Sequence, residues 1–285
     1  MSTPTTALPV TEQPATTPRT MQAVVFDDFG GPEVLVAREI PVPEVRPHDL
    51  LVRNASIGVN RADLLHRKGA YGRAYFGDAD TMGLEIAGTV VAMGSEVQGF
   101  AVGDRVMGIV GGGAYAQLSR IDHRMAMPVP AGMDLVAAGA VAEVFVTAHE
   151  ALFHLARLHA GESVLIHAAA GGVGSAAVQL AHAAGARVFA TAGGDKRGAV
   201  LGCGADVCID YRSEDFQAVV AQATQGRGVD VVIDRLHRGS VPAAQRAVAG
   251  RRRAPGVGGA VGGARRGRSC PWMWCCTATC RSLAP

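Results

Sequence analysis

The last fifth of the chain lacks acidic residues and lysine altogether. No Asp, Glu or Lys follows Asp234, yet the segment 236–285 holds nine Arg, both Trp and four of the six Cys. Its Gly clusters and Arg runs carry neither a helical nor a strand period, which predicts a disordered or poorly packed tail. The Cys spacing matches no paired C-x-x-C arrangement, which argues against zinc binding there. We therefore hypothesise a shifted reading frame near Arg235.

Features of membrane, secreted and nucleic-acid-binding proteins are also scarce. No unbroken apolar run approaches the ~18 residues of a membrane span. The formal net charge of +2 is too small to indicate a nucleic-acid partner. Residues 1–20 are rich in Thr and Pro and lack the basic-then-apolar order of a secretory signal, which predicts a disordered leader. Cys203 and Cys208 suggest free thiols in a reducing, cytoplasmic setting.

Two patterns divide the rest of the chain. Residues 21–145 begin with short apolar segments separated by Gly, Pro and Asp, as in a compact β domain, and then turn helical towards the second domain. Residues 146–235 alternate strands and helices in the order βαβαβαβ, which predicts an α/β fold with a parallel, doubly wound sheet. A dinucleotide-binding sheet usually has six strands, so this one is expected to be incomplete.

The strongest motif is HAAAGGVG, which follows an apolar strand and opens a helix at residues 167–174. Gly171 would let the backbone turn tightly beside a pyrophosphate, and Gly174 would let the helix pack closely on the strand. Backbone N–H groups at the helix start would bind the phosphates. The candidate cofactor-binding residues here are Ala170, Gly171, Gly172, Val173 and Gly174.

The run GESVLIHAAAGGVGSAAVQLAH at residues 161–182 resembles the signature of the quinone oxidoreductase and zeta-crystallin family, within the medium-chain dehydrogenase/reductase superfamily. The resemblance extends over residues 21–234. It implies a GroES-like substrate domain followed by a Rossmann domain, and a family-type homodimer. Because family dimers often join along the last Rossmann strand, the tail puts that dimer in doubt.

Charge at the end of the second Rossmann strand favours NADPH over NADH. NAD enzymes generally place an acid there, whereas this chain has Ala192 followed by Gly193. Without an acid, a 2′-phosphate meets no repulsion. Lys196 and Arg197 stand nearby as cations or as a solvated helix face. The resemblance implies that Tyr211 binds the phosphate.

The run GLEIAGTVVAMGSEVQGFAVGDRVMG at residues 83–108 resembles the GroES-like core of alcohol dehydrogenases. The zinc enzymes have GHE at its start, and their catalytic metal is bound by that His and by an earlier Cys. Those positions are Leu84 and Asn60 here, so we expect no catalytic metal.

The resemblance also implies three residues near the reacting groups. Asn60 would hydrogen-bond substrate or cofactor, with a turn residue as the alternative. Tyr71 would line the substrate pocket, either as a proton donor or as an apolar wall. Thr147 would touch the nicotinamide ring, with a packed helical Thr as the alternative.

The sequence therefore predicts a metal-independent, NADPH-dependent reductase of small-molecule quinones or enones. In such an enzyme the cofactor carries the hydride, and the protein orients the substrate and excludes water. One alternative is an impaired, truncated relative that at most binds NADPH. Another is an oxidoreductase of the zinc alcohol dehydrogenase type.

Overall fold

The computed structural model describes residues 18–70, 81–234 and 277–280, which fall into two compact units. The first extends to Ala140 and the second begins at Val141. Most of the proposed leader, Tyr71 and nearly all of the tail, including the hypothesised frameshift, lie outside the described residues. Within the described part, no helix is both long and apolar enough to cross a membrane.

The first unit is built from antiparallel strands. Strands β1 and β2 pair with each other, and the remaining five form one sheet in the order β6-β3-β4-β5-β7. The strands are β1 Thr20–Val25, β2 Val36–Pro41, β3 Asp49–Gly58, β4 Glu85–Met93, β5 Arg105–Ile109, β6 Leu118–Asp122 and β7 Ala126–Pro128. Two short helices, α1 Arg61–Arg67 and α2 Leu135–Ala138, follow β3 and β7 in the chain.

Alternation along β3 separates two cores in this unit. Leu50 and Val52 pack in a cluster with Ile86, whereas Leu51 between them packs against Met21 in another. Successive strand residues point to opposite faces of a sheet, so this apolar run buries both faces. The sequence did not predict β5, β7 or α1 as separate elements. It predicted a strand over EVLVAREI, residues 33–40, whereas β2 begins at Val36 and Pro32–Val34 forms a 3₁₀ turn. Proline at the start of that turn fixes a backbone angle suited to it.

The second unit is a mainly parallel sheet of order β10-β9-β8-β11-β12. Its first four strands are parallel, and helices connect them. The elements are α3 Ala142–His149, β8 Ser163–Ile166, α4 Gly172–Ala183, β9 Arg187–Ala192, α5 Arg197–Gly202, β10 Val207–Asp210, α6 Phe216–Ala223, β11 Val231–Asp234 and β12 Thr277–Cys280. The predicted α/β class, with a Rossmann-type parallel sheet, is confirmed.

Both faces of this sheet are buried. Val164 and Ile166 of β8 pack with α4 in one apolar cluster, whereas Leu165 packs on the opposite face with Val220 of α6. Burying a side chain of this size contributes about 1.5–3 kcal/mol. The uninterrupted apolar run Val164–Ile166 is therefore explained by a strand covered on both sides.

Three predictions about elements need correction. The sequence predicts a helix from Ser213, but the helix begins at Phe216, because the Asp215 side chain caps it by accepting the Gln217 N–H at 2.9 Å. The sequence also predicts one helix from about Phe145 to Leu158, but the structure has α3 followed by a π-helical segment, Glu150–Leu155. The tail was expected to lack regular structure, but residues 277–280 form β12, antiparallel to β11. Pairing with β12 satisfies backbone groups at an edge that β11 would otherwise leave open.

Candidate functional site

The glycine-rich loop joins β8 to α4 through a tight bend. Ala168 has a φ of 52°, in the left-handed region that non-glycine residues rarely adopt. A Cβ at Gly174 would lie 2.2 Å from the Ala168 carbonyl oxygen and 2.8 Å from the Ala169 Cα. Only glycine therefore lets α4 approach the loop this closely.

The start of α4 leaves backbone N–H groups outside the hydrogen-bond ladder of the helix. The first main-chain bond of the helix runs from the Ser175 N–H to the Gly171 carbonyl at 2.8 Å, so the N–H groups of residues 172–174 precede the helical ladder. Ala170, Gly171 and Gly172 are exposed. Such donors, with the positive end of the helix dipole, suit a phosphate. The geometry fits the pyrophosphate of a dinucleotide.

A second group of predicted residues lies at the same edge of the sheet. Strands β9 and β10 are parallel neighbours, and the Tyr211 N–H donates to the Ala192 carbonyl at 3.3 Å. Tyr211 therefore stands directly beside the end of β9, where Gly193 follows. Lys196 ends the adjoining 3₁₀ turn, and both its side chain and Tyr211 are exposed. These residues lie where adenosine ribose would bind if the pyrophosphate occupied the glycine loop.

Carboxylates that were not predicted also lie at this edge, beside the ends of β9 and β10. Asp195 lies in the turn after Gly193, and Asp210 ends β10, where its Oδ1 accepts the Arg212 N–H at 3.1 Å. The Arg197 Nη1 lies 3.3 Å from Glu214 Oε2, and the Arg212 Nη1 lies 4.0 Å from Asp195 Oδ1. Acid and base are therefore interleaved, and the absence of an acid at Ala192 does not make the surroundings purely basic.

His167 and Thr147 belong to the second unit but differ in setting. His167 is buried, its Nδ1 lies 3.0 Å from Thr191 Oγ1, and its ring meets Phe216 edge-on. Thr147 is half-buried in α3, one turn before the π-helical segment. Its predicted contact with nicotinamide stays a prediction.

In the first unit, Asn60 joins β3 to α1 and contacts a buried acid. Its Nδ2 donates to Glu85 Oε2 at 2.8 Å, and Glu85 is only 1% exposed. A Cβ at Gly58 would lie 1.9 Å from that same oxygen, so the glycine makes room for the carboxylate. Because a carboxylate only accepts, this contact fixes which way the Asn60 amide is turned.

Asp63 and Tyr115 extend this polar group. Asp63 Oδ2 accepts the Asn60 N–H at 2.7 Å and the Tyr115 hydroxyl at 3.0 Å. Burial raises the pKa of Asp63 above its ordinary value, although the hydrogen bonds from Asn60 and Tyr115 act in the opposite direction. Burial and the neighbouring Asp63 charge raise the pKa of Tyr115 well above 10, which keeps its hydroxyl protonated near neutrality.

The motif GLE sets this arrangement in place. Gly83 has a φ of 94°, and a Cβ there would lie 2.2 Å from a ring carbon of Tyr115. Leu84 is buried and Glu85 holds Asn60. Neither Asp63 nor Tyr115 was predicted to belong to the site. The spacing Asn60-x-x-Asp63 is a capping-box signature that would have indicated α1, but nothing local indicates Tyr115.

Two family models match the chain. The alcohol dehydrogenase GroES-like domain matches residues 46–157, and the zinc-binding dehydrogenase model matches residues 172–270. Among solved structures, a quinone oxidoreductase from Pseudomonas syringae pv. Tomato DC3000 has a TM-score of 0.73 and 32% identity, covering 81% of this chain and 71% of that one. The CurK enoyl reductase has a TM-score of 0.74 and 31% identity, covering 82% and 72%.

The curated relatives are of two kinds. The quinone oxidoreductase of Rattus norvegicus is 36% identical over 230 residues, covering 78% of this chain and 68% of the rat protein. Erythronolide synthase EryA2 of Saccharopolyspora erythraea is 46% identical over 202 residues, covering 69% of this chain. The chain spans only 6% of the length of that synthase.

Proposed function

This chain belongs to the quinone oxidoreductase family of the medium-chain dehydrogenase/reductase superfamily, and from that membership we propose that it reduces a conjugated carbonyl compound with NADPH. The observation that carries the proposal is the glycine loop at the start of α4. Its N–H donors outside the helical ladder and the steric need for Gly174 suit a dinucleotide pyrophosphate. When bound, the nicotinamide would supply the hydride.

The chain's own residues would orient the two reactants. Residues 170–174 hold the pyrophosphate, while Gly193, Lys196 and Tyr211 contact the adenosine ribose and its phosphate. Thr147 is proposed to bound the nicotinamide. The preference for NADPH over NADH rests on the cations at the edge formed by β9 and β10.

Asn60 is proposed to hydrogen-bond the carbonyl oxygen of the substrate or the cofactor. With one Nδ2 proton donated to Glu85, the amide retains a second N–H in a fixed orientation. A donor aimed at an oxygen that gains negative charge stabilises the transition state. Asp63 holds the Asn60 backbone, and Tyr71 is proposed to line the pocket.

We propose that no catalytic zinc takes part. Leu84 has no donor atom and is buried, and Asn60 is already engaged with Glu85. A catalytic zinc needs three protein ligands drawn from Cys, His and carboxylate side chains, and two of the family's ligand positions are Leu84 and Asn60 here. This proposal disfavours an oxidoreductase of the zinc alcohol dehydrogenase type.

A second candidate substrate class is an α,β-unsaturated thioester. The 46% identity to erythronolide synthase EryA2 and the TM-score of 0.74 to the CurK enoyl reductase favour it. Both substrate classes present a conjugated carbonyl group, so the same oriented amide would serve either one.

The test measures the anaerobic oxidation of NADPH as the loss of its absorbance. The acceptors, added in separate assays, are 1,4-benzoquinone, 9,10-phenanthrenequinone and crotonyl pantetheine. Consumption with a quinone supports the first candidate, and consumption with only the thioester supports the second. Quenching of cofactor fluorescence without turnover by any acceptor identifies an impaired relative that binds NADPH. NADH in place of NADPH is the matched control for cofactor choice.

Two further expectations belong to this proposal. The thiols of Cys203 and Cys208 are both free, which suits a reducing compartment, and we propose the cytoplasm. A homodimer joined along the last Rossmann strand would need the edge of the sheet where β12 lies. Sedimentation at several concentrations tests whether the chain self-associates.

A further inference from the structure

We propose that Arg212 is the residue that recognises the 2′-phosphate of the dinucleotide and so determines the choice between NADPH and NADH. This inference rests on the proposed function, because it assumes that adenosine ribose binds beside Gly193. It assigns the decisive contact to a residue that sequence analysis did not consider, in preference to Arg197.

The position of Arg212 follows from the sheet. Asp210 of β10 pairs with Ala192 of β9, so Arg212 emerges two residues beyond the paired ends. A Cβ built at Gly193 would lie 3.4 Å from Arg212 Cζ. The guanidinium therefore lies against a residue that has no side chain to block the approach of a ribose.

Arg197 and Arg212, the two arginines at this edge, differ in the strength of the interactions that their side chains already make. Arg197 donates to Glu214 Oε2 at 3.3 Å, and the same oxygen accepts the Asp210 N–H at 2.7 Å, so both partners are tied to the fold. Arg212 faces Asp195 at 4.0 Å, and both of these side chains are about two-thirds exposed. An exposed pair at that separation contributes little, so a phosphate would displace Asp195 readily.

The chemistry of the guanidinium suits the task. Its planar fork can donate two parallel hydrogen bonds to phosphate oxygens, and such charge-assisted bonds are among the stronger ones in proteins. The Cζ of Arg212 lies 5.6 Å from the centre of the Tyr211 ring, which limits the orientations that the guanidinium samples. Asp195 would weaken phosphate binding, because its carboxylate lies near the Arg212 guanidinium and would repel a phosphate bound there.

The experiment compares two adenosine ligands that differ only in the 2′-phosphate. Calorimetric titration of the full chain with adenosine 2′,5′-bisphosphate and with adenosine 5′-monophosphate requires no hydride transfer. For Arg212→Gln, we expect the Kd of the bisphosphate to rise about 10- to 100-fold, in keeping with the loss of charge-assisted hydrogen bonds. The Kd of the monophosphate should change less than about twofold.

Matched variants sharpen the result. Arg197→Gln removes a neighbouring cation that already has a partner, and should raise the bisphosphate Kd less than about threefold. Asp195→Asn should lower it, and Arg212→Lys should fall between wild type and Arg212→Gln because it keeps the charge but loses the fork. Thermal unfolding of the Arg212 and Asp195 variants should match wild type, since both side chains are about two-thirds exposed.

Several outcomes would overturn the inference. These are equal weakening of both ligands by Arg212→Gln, a larger effect of Arg197→Gln, or a wild-type chain that does not prefer the bisphosphate. A chain that prefers the bisphosphate through Arg212 but reduces no quinone or thioester would leave the inference standing and reject the proposed activity instead.

Discussion

At the residue scale, both the fold and the proposed cofactor site depend on the absence of a Cβ atom at Gly174. Gly174→Ala would bring a methyl group to 2.2 Å from the Ala168 carbonyl oxygen, which forces α4 away from the loop. Overpacking of this kind typically costs about 1–3 kcal/mol. We expect a lower melting temperature and NADPH binding weakened at least tenfold, measured by thermal unfolding and by cofactor fluorescence.

Gly198→Ala is the control for that change. Gly198 lies in α5, and a Cβ there meets nothing within 4 Å. Because alanine favours a helix over glycine by about 1 kcal/mol, this variant should be as stable as wild type or more so, with unchanged NADPH binding. Equal losses in both variants would show that the close approach at Gly174 is not what matters.

Asp63 predicts a pH dependence of stability at the same scale. Burial raises its pKa in the folded chain, so the unfolded chain releases this proton at lower pH. The contribution of the carboxyl to stability is therefore complete below the unfolded pKa, near 4, and is lost as pH rises through the folded value. Relative to Asp63→Asn, wild type should gain stability as pH falls from 7 towards 4.

Urea unfolding at a series of pH values measures that difference. Asn keeps an acceptor oxygen for the Asn60 N–H and the Tyr115 hydroxyl but does not titrate, so subtracting its curve isolates the carboxyl. A difference that stays flat, or that favours wild type more at high pH, would contradict the raised pKa.

Individual site residues were predictable only where neighbours in sequence determine them. Gly171 and Gly174 could be found because the tight turn and the helix start lie within eight residues of one strand. Tyr115 could not, because its hydrogen bond to Asp63 joins residues 52 apart in sequence. The place of Arg212 beside Gly193 could not be predicted for a similar reason, since it depends on the pairing of β9 with β10.

At the scale of elements, apolar pattern predicted the strands of the second unit well and its irregular features poorly. Strands β8 to β11 are apolar runs between turn residues, and such runs indicate buried parallel strands. The π-helical segment after α3 could not be predicted, because the sequence EALFHL is equally compatible with an α-helix. The helix α1 was missed because its seven residues are too few to show a period.

Strand β12 gives a prediction at the element scale. Its four residues pair with β11, the last of the parallel strands. A chain that ends at residue 276 should leave those backbone groups unpaired. Hydrogen exchange should then quicken at the β11 amides that face β12, while the β11 amides that face β8 stay protected.

Strands β9 and β10 pair at the opposite edge of the sheet from β12, so their amides are the internal control for this truncation. Its amides should keep their exchange rates. Uniform acceleration across β8, β9 and β10 would mean that the last residues support the whole sheet rather than one edge. Unchanged exchange in β11 would mean that β12 does not protect it.

At the scale of the whole molecule, the family and the α/β class were predictable because they rest on long continuous runs, residues 83–108 and 161–182. The comparisons agree with both, since the matched family models begin at residue 46 and continue to residue 270. Substrate choice was not predictable. A substrate pocket is formed by side chains from distant segments of the chain. The hydrogen-bonded group of Asn60, Asp63, Glu85 and Tyr115 is an example of such a long-range arrangement.

The proposed dependence on NADPH and independence from metal can be tested together on the intact chain. A ligand that binds only the folded state stabilises it by about 2.7 kcal/mol when present at 100 times its Kd. NADPH should therefore raise the melting temperature by several degrees, and an equal concentration of NADH should raise it less. Prior dialysis against 1,10-phenanthroline should leave both shifts unchanged, because Leu84 offers no metal ligand. One tightly bound zinc per chain, whose removal lowers the melting temperature, would instead support a zinc-dependent oxidoreductase.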